Sequence, residues 1–298
     1  MLLDKEKIIV YNIIVNKYFR ETYLGMQDKI SLAGDLGSGK STVSKILIER
    51  LGAQYYSTGA IVRSIAEKHG MSVVELNVYM ETHPEIDHEI DDGLKALSSV
   101  DKLLIIDSRM AWHFTEGTFK VYLSADPETS AMRIMNANRT GEHAATLEET
   151  VRQTKARRES EKKRYMTQYG VDIKDLMNYS LIVDTSHATP EEVAECIISE
   201  FEKWKSDRAL RSAYVTSERL FYPDDEPDAN EVARLSGLLD LGEKIPEVTF
   251  FEEDGELYLE SGVESALAYS FNMNTFIPAR LVKGSSCQGK YVKMKNSL

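Results

Sequence analysis

The chain has 298 residues, which suggests about two domains, and its two cysteines are too few for a disulfide framework. Acidic residues outnumber basic ones and give a formal net charge of −12, which excludes a protein that coats nucleic acid through its overall charge. No run of about 18 apolar residues is present, and acids and bases alternate at the N-terminus, so neither a membrane span nor a signal peptide is expected. These features predict a cytoplasmic protein without nucleic-acid or membrane partners.

The first predicted elements are a helix and then a strand that leads into a glycine-rich loop. Apolar residues at helical spacing predict an N-terminal helical extension over residues 1–28. Residues 29–33 form a short apolar run typical of a buried strand, and a helix with an apolar face follows residue 41. Between them, residues 34–41 read GDLGSGKS and fit the pattern G-x-x-x-x-G-K-[ST]. Strand, loop and helix follow one another in the order that this phosphate-binding motif requires.

The glycine-rich loop (residues 34–41) predicts a site for the phosphates of ATP. Its glycines allow close approach of the backbone to phosphate oxygens, and the N-terminus of the next helix presents N–H groups to the same anion. Lys40 supplies a cation, and the hydroxyl of Ser41 is a candidate Mg²⁺ ligand. The residues expected to bind ATP here are Gly34, Gly37, Ser38, Gly39, Lys40, Ser41 and Thr42.

Two later strands end beside arginines, which a small-molecule kinase needs in order to hold two phosphorylated ligands. Thr58 is expected to cap a helix that carries Arg63 just over one turn in. An apolar strand that ends at Asp107 delivers Arg109 to its carboxyl end, where ligands bind in open α/β sheets. Asp107 is the second residue predicted at the Mg²⁺ site.

A basic region follows at residues 133–164, where nine Lys and Arg face five Glu. Arg133 and Arg139 are expected to bind ATP, and they lead into a polar loop at 140–146 that is suited to be a lid. The long charged helix predicted over residues 147–169 places three candidate side chains on one face: Arg157, Glu161 and Arg164.

Residues 29–203 resemble the cytidylate kinase family, in particular its short archaeal-type branch. The resemblance rests on the glycine-rich loop and on five stretches in the family's order: STGAIVR at 57–63, NVYMETHPEIDHEIDD at 77–92, DSR at 107–109, RRESEKKRY at 157–165 and VDTS at 183–186. It implies the α/β fold of a P-loop nucleoside monophosphate kinase, a parallel sheet flanked by helices, over residues 29–207. It also implies Mg²⁺-dependent transfer of the ATP γ-phosphate to CMP or dCMP.

The resemblance further implies roles for individual residues. Lys40, Arg109, Arg157 and Arg164 would be catalytic, and the three arginines together with Arg63 would contact the acceptor phosphate and the transferring group. At the acceptor site, a hydroxyl would come from Thr58 and an organising carboxylate from Glu161.

Residues 77–92 would belong to a helical insert that binds the monophosphate. Its isoleucines are expected to face the core, and its acids, Glu85, Asp87, Glu89 and Asp91, to face solvent. The chain departs from the family at Ser108, where glycine is usual, and at Val62, where a bulky aromatic is usual. The acceptor is therefore left open between CMP or dCMP and another small molecule, and a nucleotide-binding regulator that acts through the C-terminal part is the alternative from another class.

A second, small α+β module with a basic tail is predicted over residues 212–298, with a linker candidate at 222–231. Its predicted elements are a helix at 229–241, strands at 247–251 and 256–260 joined by an Asp-Gly turn, a helix at 263–271 and a strand at 275–282. In this order of elements, residues 214–282 resemble a ParB/sulfiredoxin-like domain.

This C-terminal module is expected to serve interaction or homo-oligomerisation, since the residues 262–265 (GVES) stand where active ParB/sulfiredoxin-like members have a basic phosphate-binding turn. The negative charge of the chain also resides here. Residues 212–264 hold 15 acids and three bases, whereas the region 133–164 is locally positive and suited to anionic nucleotides.

Overall fold

The computed structural model describes residues 28–136, 146–284 and 289–294. Within them the chain forms one eleven-stranded sheet with helices packed on both faces. Three predicted features fall on residues outside these ranges. They are the helix expected over residues 1–28 (except residue 28), Arg139, and the loop 140–146 (except Thr146). No helix in the three described ranges is both long and apolar enough to cross a bilayer.

Strands and helices alternate along the first two thirds of the chain. The strands are β1 (Lys29–Gly34), β2 (Gln54–Ser57), β3 (Leu104–Asp107), β4 (Thr118–Ser124), β5 (Leu181–Asp184), β6 (Ser212–Val215), β7 (Leu220–Pro223), β8 (Val248–Glu253), β9 (Glu256–Ser261), β10 (Ile277–Leu281) and β11 (Tyr291–Lys293). The helices are α1 (Lys40–Leu51), α2 (Thr58–Lys68), α3 (Val73–Met80), α4 (Pro84–Ala96), α5 (Ala111–Phe114), α6 (Pro127–Asn136), α7 (Leu147–Tyr169), α8 (Pro190–Ser206), α9 (Ala229–Asp240) and α10 (Val263–Phe271). Short 3₁₀ turns occur at Leu97–Ser99, Leu176–Asn178 and Ser217–Arg219.

Six parallel strands make up the half of the sheet that carries the glycine-rich loop, in the order β2-β3-β1-β4-β5-β6. Apart from the edge strand β2, where Tyr55 is exposed, these strands bury apolar residues on both faces, as expected for a parallel sheet covered by helices. Asp107 at the end of β3 pairs in register with Leu32 of β1 and Ser57 of β2, so these strands end at one edge. The loops that follow them meet there, where ligands bind in open α/β sheets.

Most predicted elements of this half are confirmed. The sequence also predicts short strands near residues 54–56, 103–107, 120–123 and 181–183, each followed by a helix, and the structure has all four strands. It also has the long helix predicted over 147–169. In the C-terminal part, it has the helices predicted at 229–241 and 263–271 and the strands predicted at 247–251, 256–260 and 275–282, each with bounds shifted by two residues or fewer.

The C-terminal segment, residues 212–294, continues this sheet. β6 pairs with β5 in parallel and with β10 antiparallel, and β8, β9, β7 and β11 follow outward in that order. Sequence reasoning missed β6, β7 and β11, and it read Tyr222 and Pro223, which end β7, as the beginning of a linker. The core under these strands joins residues from both halves: Tyr122, Ile182, Ala213, Phe250 and Leu259. The division of the chain between residues 207 and 212 stays a prediction.

Helices α3 and α4 form the insert, which has a small core of its own. Ile90 is buried in that core, and Glu85 and Glu89 are exposed, as expected. The expectation of solvent-facing acids is wrong for Asp87 and Asp91, which are each only 4% exposed. Both carboxylates turn toward polar partners on α7, which the helical pattern of α4 alone could not reveal.

Candidate active site

An open cleft of about 440 Å³ lies at the edge where β1, β2 and β3 end. Its walls come from the glycine-rich loop, the start of α2, the loop after β3, the insert and α7. Eleven of the residues predicted to form the site line this cleft: Gly37, Gly39, Lys40, Ser41, Thr58, Arg63, Asp107, Arg109, Arg157, Glu161 and Arg164. Stretches that are far apart in sequence therefore meet around one space.

Two of the three loop glycines are required by the protein's own backbone. Gly34 has φ +143° and Gly37 has φ +78°, and a Cβ at either position would collide with a carbonyl oxygen, of Leu123 or of Ser130 respectively. A Cβ on Gly39 (φ +83°) would meet no described atom within 4 Å. Gly39 is the N-cap of α1, so open space lies at a helix N-terminus, where anions are favoured.

Lys40 begins α1, and its ammonium group donates to carbonyl oxygens of the loop, 3.0 Å from that of Gly34 and 2.6 Å from that of Asp35. Burial disfavours the charged form and lowers the pKa of Lys40 to about 8. Ser38 is 1% exposed, and its hydroxyl donates to the carbonyl of Asp35 at 2.8 Å. The structure therefore places the Ser38 side chain inside the loop and not in the cleft.

Ser41 and Asp107 face the cleft from two elements, the first turn of α1 and the end of β3. The Asp107 carboxylate accepts a hydrogen bond of 3.0 Å from the hydroxyl of Tyr55. Mg²⁺ prefers oxygen donors and completes its shell with waters and substrate phosphates, so a hydroxyl and a carboxylate fit this ion. Within the described part of the chain, no cluster of three or more His, Cys, Asp or Glu is suited to hold a metal on its own. Thr42 is exposed on α1 but does not line the cleft.

The start of α2 brings two predicted acceptor residues to the cleft. Ser57 is the N-cap, and its hydroxyl accepts from the backbone N–H of Ala60, so the expectation that Thr58 caps this helix is wrong. Thr58 is the first helical residue, and its hydroxyl reaches the main-chain oxygen of Asp107 at 3.5 Å. Arg63 is exposed, one turn further along, where it lines the cleft.

Glu161 on α7 holds two arginines at the wall of the cleft. Its carboxylate oxygens lie 2.5 Å from Nε of Arg109 and 3.1 Å from Nε of Arg157. The Glu161 side chain is 7% exposed, whereas each of the two arginine side chains is 24% exposed. Burial alone would raise the pKa of Glu161, but the positive charges of Arg109 and Arg157 outweigh it and hold that pKa below its ordinary value. Two guanidiniums carry more N–H groups than one carboxylate can accept, so this arrangement suits a phosphate.

Arg164 lies further along α7 and faces the insert. Its guanidinium is 3.5 Å from a carboxylate oxygen of Asp87 and 3.4 Å from the amide oxygen of Asn77. Nearby, the carboxylate of Asp91 accepts a hydrogen bond from the hydroxyl of Tyr169. Burial raises the pKa of both Asp87 and Asp91. Arg164 thus lines the cleft but is anchored to the insert.

Asp35 holds the glycine-rich loop from beneath, a role that sequence reasoning missed. Its buried carboxylate accepts hydrogen bonds from the hydroxyl of Tyr122 at 2.8 Å and from the backbone N–H of Ala125 at 3.0 Å. It also pairs with Lys174 and, at 3.3 Å, with Arg158. Burial alone would raise the pKa of Asp35, and these two cations hold it well below its ordinary value. An acid inside the loop motif was the available signal, but nothing local indicates its distant partners.

Arg133 on α6 lies outside the cleft, on the β4–β5 side of the glycine-rich loop. Its guanidinium donates to the hydroxyl and the carbonyl oxygen of Thr185, at 3.1 and 2.7 Å, and to the carbonyl oxygen of Ser186 at 3.3 Å. Arg133 therefore joins α6 to the loop that follows β5. The structure does not bring it together with the arginines of the cleft.

Comparison with known proteins places the similarity in the N-terminal part of the chain. A family model described as an AAA domain matches residues 30–168. The cytidylate kinase of Thermoplasma volcanium is 37% identical over 179 residues, which are 59% of this chain and 92% of that protein. The cytidylate kinase of Archaeoglobus fulgidus is 36% identical over 183 residues, which are 60% of this chain and 99% of that protein.

Among solved structures, a shikimate kinase from Acinetobacter baumannii in complex with shikimate aligns with a TM-score of 0.41 and 18% sequence identity. The alignment covers 62% of this chain and 98% of that one. A similarity at this level says nothing about the substrate of the present chain.

Proposed function

Since the chain belongs to the cytidylate kinase family and is a P-loop nucleoside monophosphate kinase, we propose that it transfers the γ-phosphoryl group of ATP to CMP or dCMP. The observation that carries this proposal is the cleft, in which Lys40 and the Arg109–Glu161–Arg157 cluster face one space. A phosphoryl group that moves between two nucleotides needs cations on both the donor and the acceptor side.

In the proposed reaction, the glycine-rich loop and Lys40 bind the β- and γ-phosphates of ATP. Arg109 and Arg157, held by Glu161, orient the acceptor phosphate and neutralise the charge on the transferring group. An oxygen of the acceptor monophosphate attacks the γ-phosphorus, and the bond from that phosphorus to the bridging β-phosphate oxygen breaks. The products are a nucleoside diphosphate and ADP. The acceptor oxygen is already anionic, so no strong general base is needed.

Ser41 and Asp107 would hold Mg²⁺, which when bound supplies charge neutralisation for the β- and γ-phosphates. Tyr55 donates its hydroxyl hydrogen to Asp107 and so fixes the carboxylate on the cleft side of β3. On the insert side, Asp87 and Asn77 hold Arg164, which keeps a third guanidinium at the acceptor end of the cleft.

A coupled assay that measures ADP release with ATP and Mg²⁺ tests the proposal. The acceptors are CMP, dCMP, UMP, AMP and shikimate, each at the same concentration, with an acceptor-free reaction as the control for ATP hydrolysis. Turnover of CMP or dCMP at the highest kcat/KM is the expected result. Turnover of another acceptor alone would reject the substrate assignment. Nucleotide binding by calorimetry without any turnover would favour the regulatory alternative.

Two further expectations accompany this function. A cytoplasmic reaction remains a prediction, and so does homo-oligomerisation through the C-terminal segment. Light scattering with and without ATP and CMP measures the second directly, because an oligomer that forms or dissociates on nucleotide binding changes the scattering mass.

A further inference from the structure

We propose that Arg219, in the C-terminal segment, positions the donor-nucleotide side of the kinase site. The inference rests on the proposed function, because it takes ATP to be the donor. Cytidylate kinases are matched over nearly their whole length by the N-terminal 60% or so of this chain, so Arg219 lies in a segment beyond the matched part. Its contacts nevertheless reach back to the ends of β4 and β5.

Arg219 is the largest fully buried side chain of the described residues, at 1% exposure. Its guanidinium donates to the carboxylate of Glu256 at 2.9 Å and to the carbonyl oxygen of Gly255 at 2.8 Å, both in the β8–β9 hairpin. The nitrogen that donates to Glu256 also lies 3.5 Å from a carboxylate oxygen of Asp126, and Nε lies 3.6 Å from one of Asp184. We name Arg219, Asp126, Asp184 and Glu256 the seam cluster, because they join the C-terminal segment to the parallel half of the sheet.

Asp126 links the seam cluster to the glycine-rich loop. One of its carboxylate oxygens accepts from the backbone N–H groups of Glu128 and Thr129, which caps α6, and the other faces Arg219. The first turns of α6 pack against the loop so closely that a Cβ on Gly37 would collide with the backbone of Ser130. The position of Asp126 therefore sets the position of α6 against the loop.

Asp184 links the seam cluster to the loop that follows β5. It is fully buried, and one oxygen accepts from the N–H and the hydroxyl of Ser186 at 3.2 and 2.6 Å, while the other accepts from Thr216. Ser186 offers its carbonyl oxygen to Arg133 of α6. Arg219 therefore lies within ion-pair distance of both structures that Arg133 connects, α6 through its cap and the loop after β5.

The sheet topology places α6 and the loop after β5 away from the acceptor residues. The acceptor residues lie around the ends of β1, β2 and β3, whereas α6, Arg133 and the loop 184–186 lie at the ends of β4 and β5, on the other side of β1. The phosphates of ATP and the acceptor share the cleft in the proposed function, and the insert and α7 close its acceptor side, so we place the rest of ATP on the β4–β5 side of the glycine-rich loop. A shift of the seam cluster would move the surfaces along which ATP lies.

The test compares Arg219→Met, which keeps bulk without charge, with Arg219→Lys, which keeps charge without the planar fork. Steady-state KM values for ATP and for the acceptor, together with kcat, are measured on the full chain. For Arg219→Met we expect the KM for ATP to rise about tenfold while the KM for the acceptor stays within about twofold, with partial rescue in Arg219→Lys. Arg234→Met, an exposed arginine on α9, is the matched control and should leave all three constants unchanged.

A merely structural Arg219 would lower the melting temperature and either change both KM values in parallel or change neither; either result overturns the inference. If Arg219→Met does not fold, Glu256→Gln replaces it as the test variant. The Glu256 side chain is 31% exposed, and its substitution weakens only the contact between Arg219 and the β8–β9 hairpin. An increase of about threefold in the KM for ATP is then expected, and an unchanged KM overturns the inference. Should wild-type protein turn over no acceptor, the proposed function fails, and calorimetric affinity for a non-hydrolysable ATP analogue still tests Arg219.

Discussion

The two arginine–carboxylate clusters near the glycine-rich loop have opposite ratios of arginine to carboxylate. In the cleft, the single carboxylate of Glu161 lies between Arg109 and Arg157, whose side chains are each 24% exposed. In the seam cluster, one fully buried guanidinium, that of Arg219, faces three carboxylates. The first arrangement leaves positive charge at an open surface, which suits an anionic ligand. In the second the guanidinium is fully buried, so it can act on a ligand only through the groups that it contacts.

Lys40 faces the same cleft as Arg109 and Arg157 and is expected to contact the phosphates of ATP. Lys40→Ala should lower kcat/KM about a thousandfold, because the cation expected to neutralise the transferring phosphates is lost. A coupled assay measures the change, and thermal unfolding should show an intact fold. Lys45→Ala, an exposed lysine of the same helix, is the control and should retain activity. An active Lys40→Ala protein would remove the glycine-rich loop from the mechanism.

Glu161→Gln tests the cluster in the cleft. A neutral amide no longer fixes both guanidiniums, so we expect kcat to fall between about tenfold and a hundredfold while the KM for ATP changes little. Steady-state kinetics with ATP and the acceptor varied separately give both constants. Glu159→Gln, an exposed neighbour on α7, is the matched control. A rise in the KM for ATP without a fall in kcat would mean that Glu161 serves the donor side, and the proposed division of the site would be wrong.

ATP binding should also depend on pH, and more weakly than activity depends on Lys40 or Glu161. Burial lowers the pKa of Lys40 to about 8, so the free protein carries this positive charge below pH 8 and loses it above. Affinity for an ATP analogue should therefore be constant from about pH 6.5 to 8 and then fall by up to about tenfold per pH unit. Lys40→Arg stays charged and should show no such decline, which calorimetry on both proteins can measure. Equal slopes in the two proteins would assign the titration to another group.

Local patterns predicted five of the six strands of the parallel half, β1 to β5, because most of them are short apolar runs that a helix follows. The strands β6, β7 and β11 escaped prediction because none of them is a continuous apolar run. β6 (SAYV) begins with a polar residue, β7 (LFYP) ends at a proline that is typical of a linker, and β11 (YVK) ends at a lysine. Their pairing, for instance Val215 of β6 opposite Ile277 of β10, emerges only from the tertiary fold.

The spacing of motifs in the sequence predicted which residues line the cleft, but it did not predict which carboxylate pairs with which arginine. Arg157 and Glu161 are one helical turn apart, so their pairing follows from the sequence. The burial of Asp87 could not be predicted in the same way, because its cation, Arg164, lies on another helix 77 residues further along the chain. A helical pattern assigns an acid to the solvent face unless a distant partner compensates its charge, and such partners emerge only from the tertiary fold.

The continuous sheet also constrains the order in which the molecule can be completed during its synthesis. β6 pairs on one side with β5, which is synthesised before it. On the other side it pairs with β10, which is synthesised only after α9, β8, β9 and α10. At roughly 5–20 residues per second, translation from β6 to β10 takes about 3–12 seconds. During that time the outer edge of β6 presents unpaired N–H and C=O groups, which attract strands of other chains. A nascent chain stopped before residue 277 therefore exposes a sheet edge that β10 covers in the finished fold.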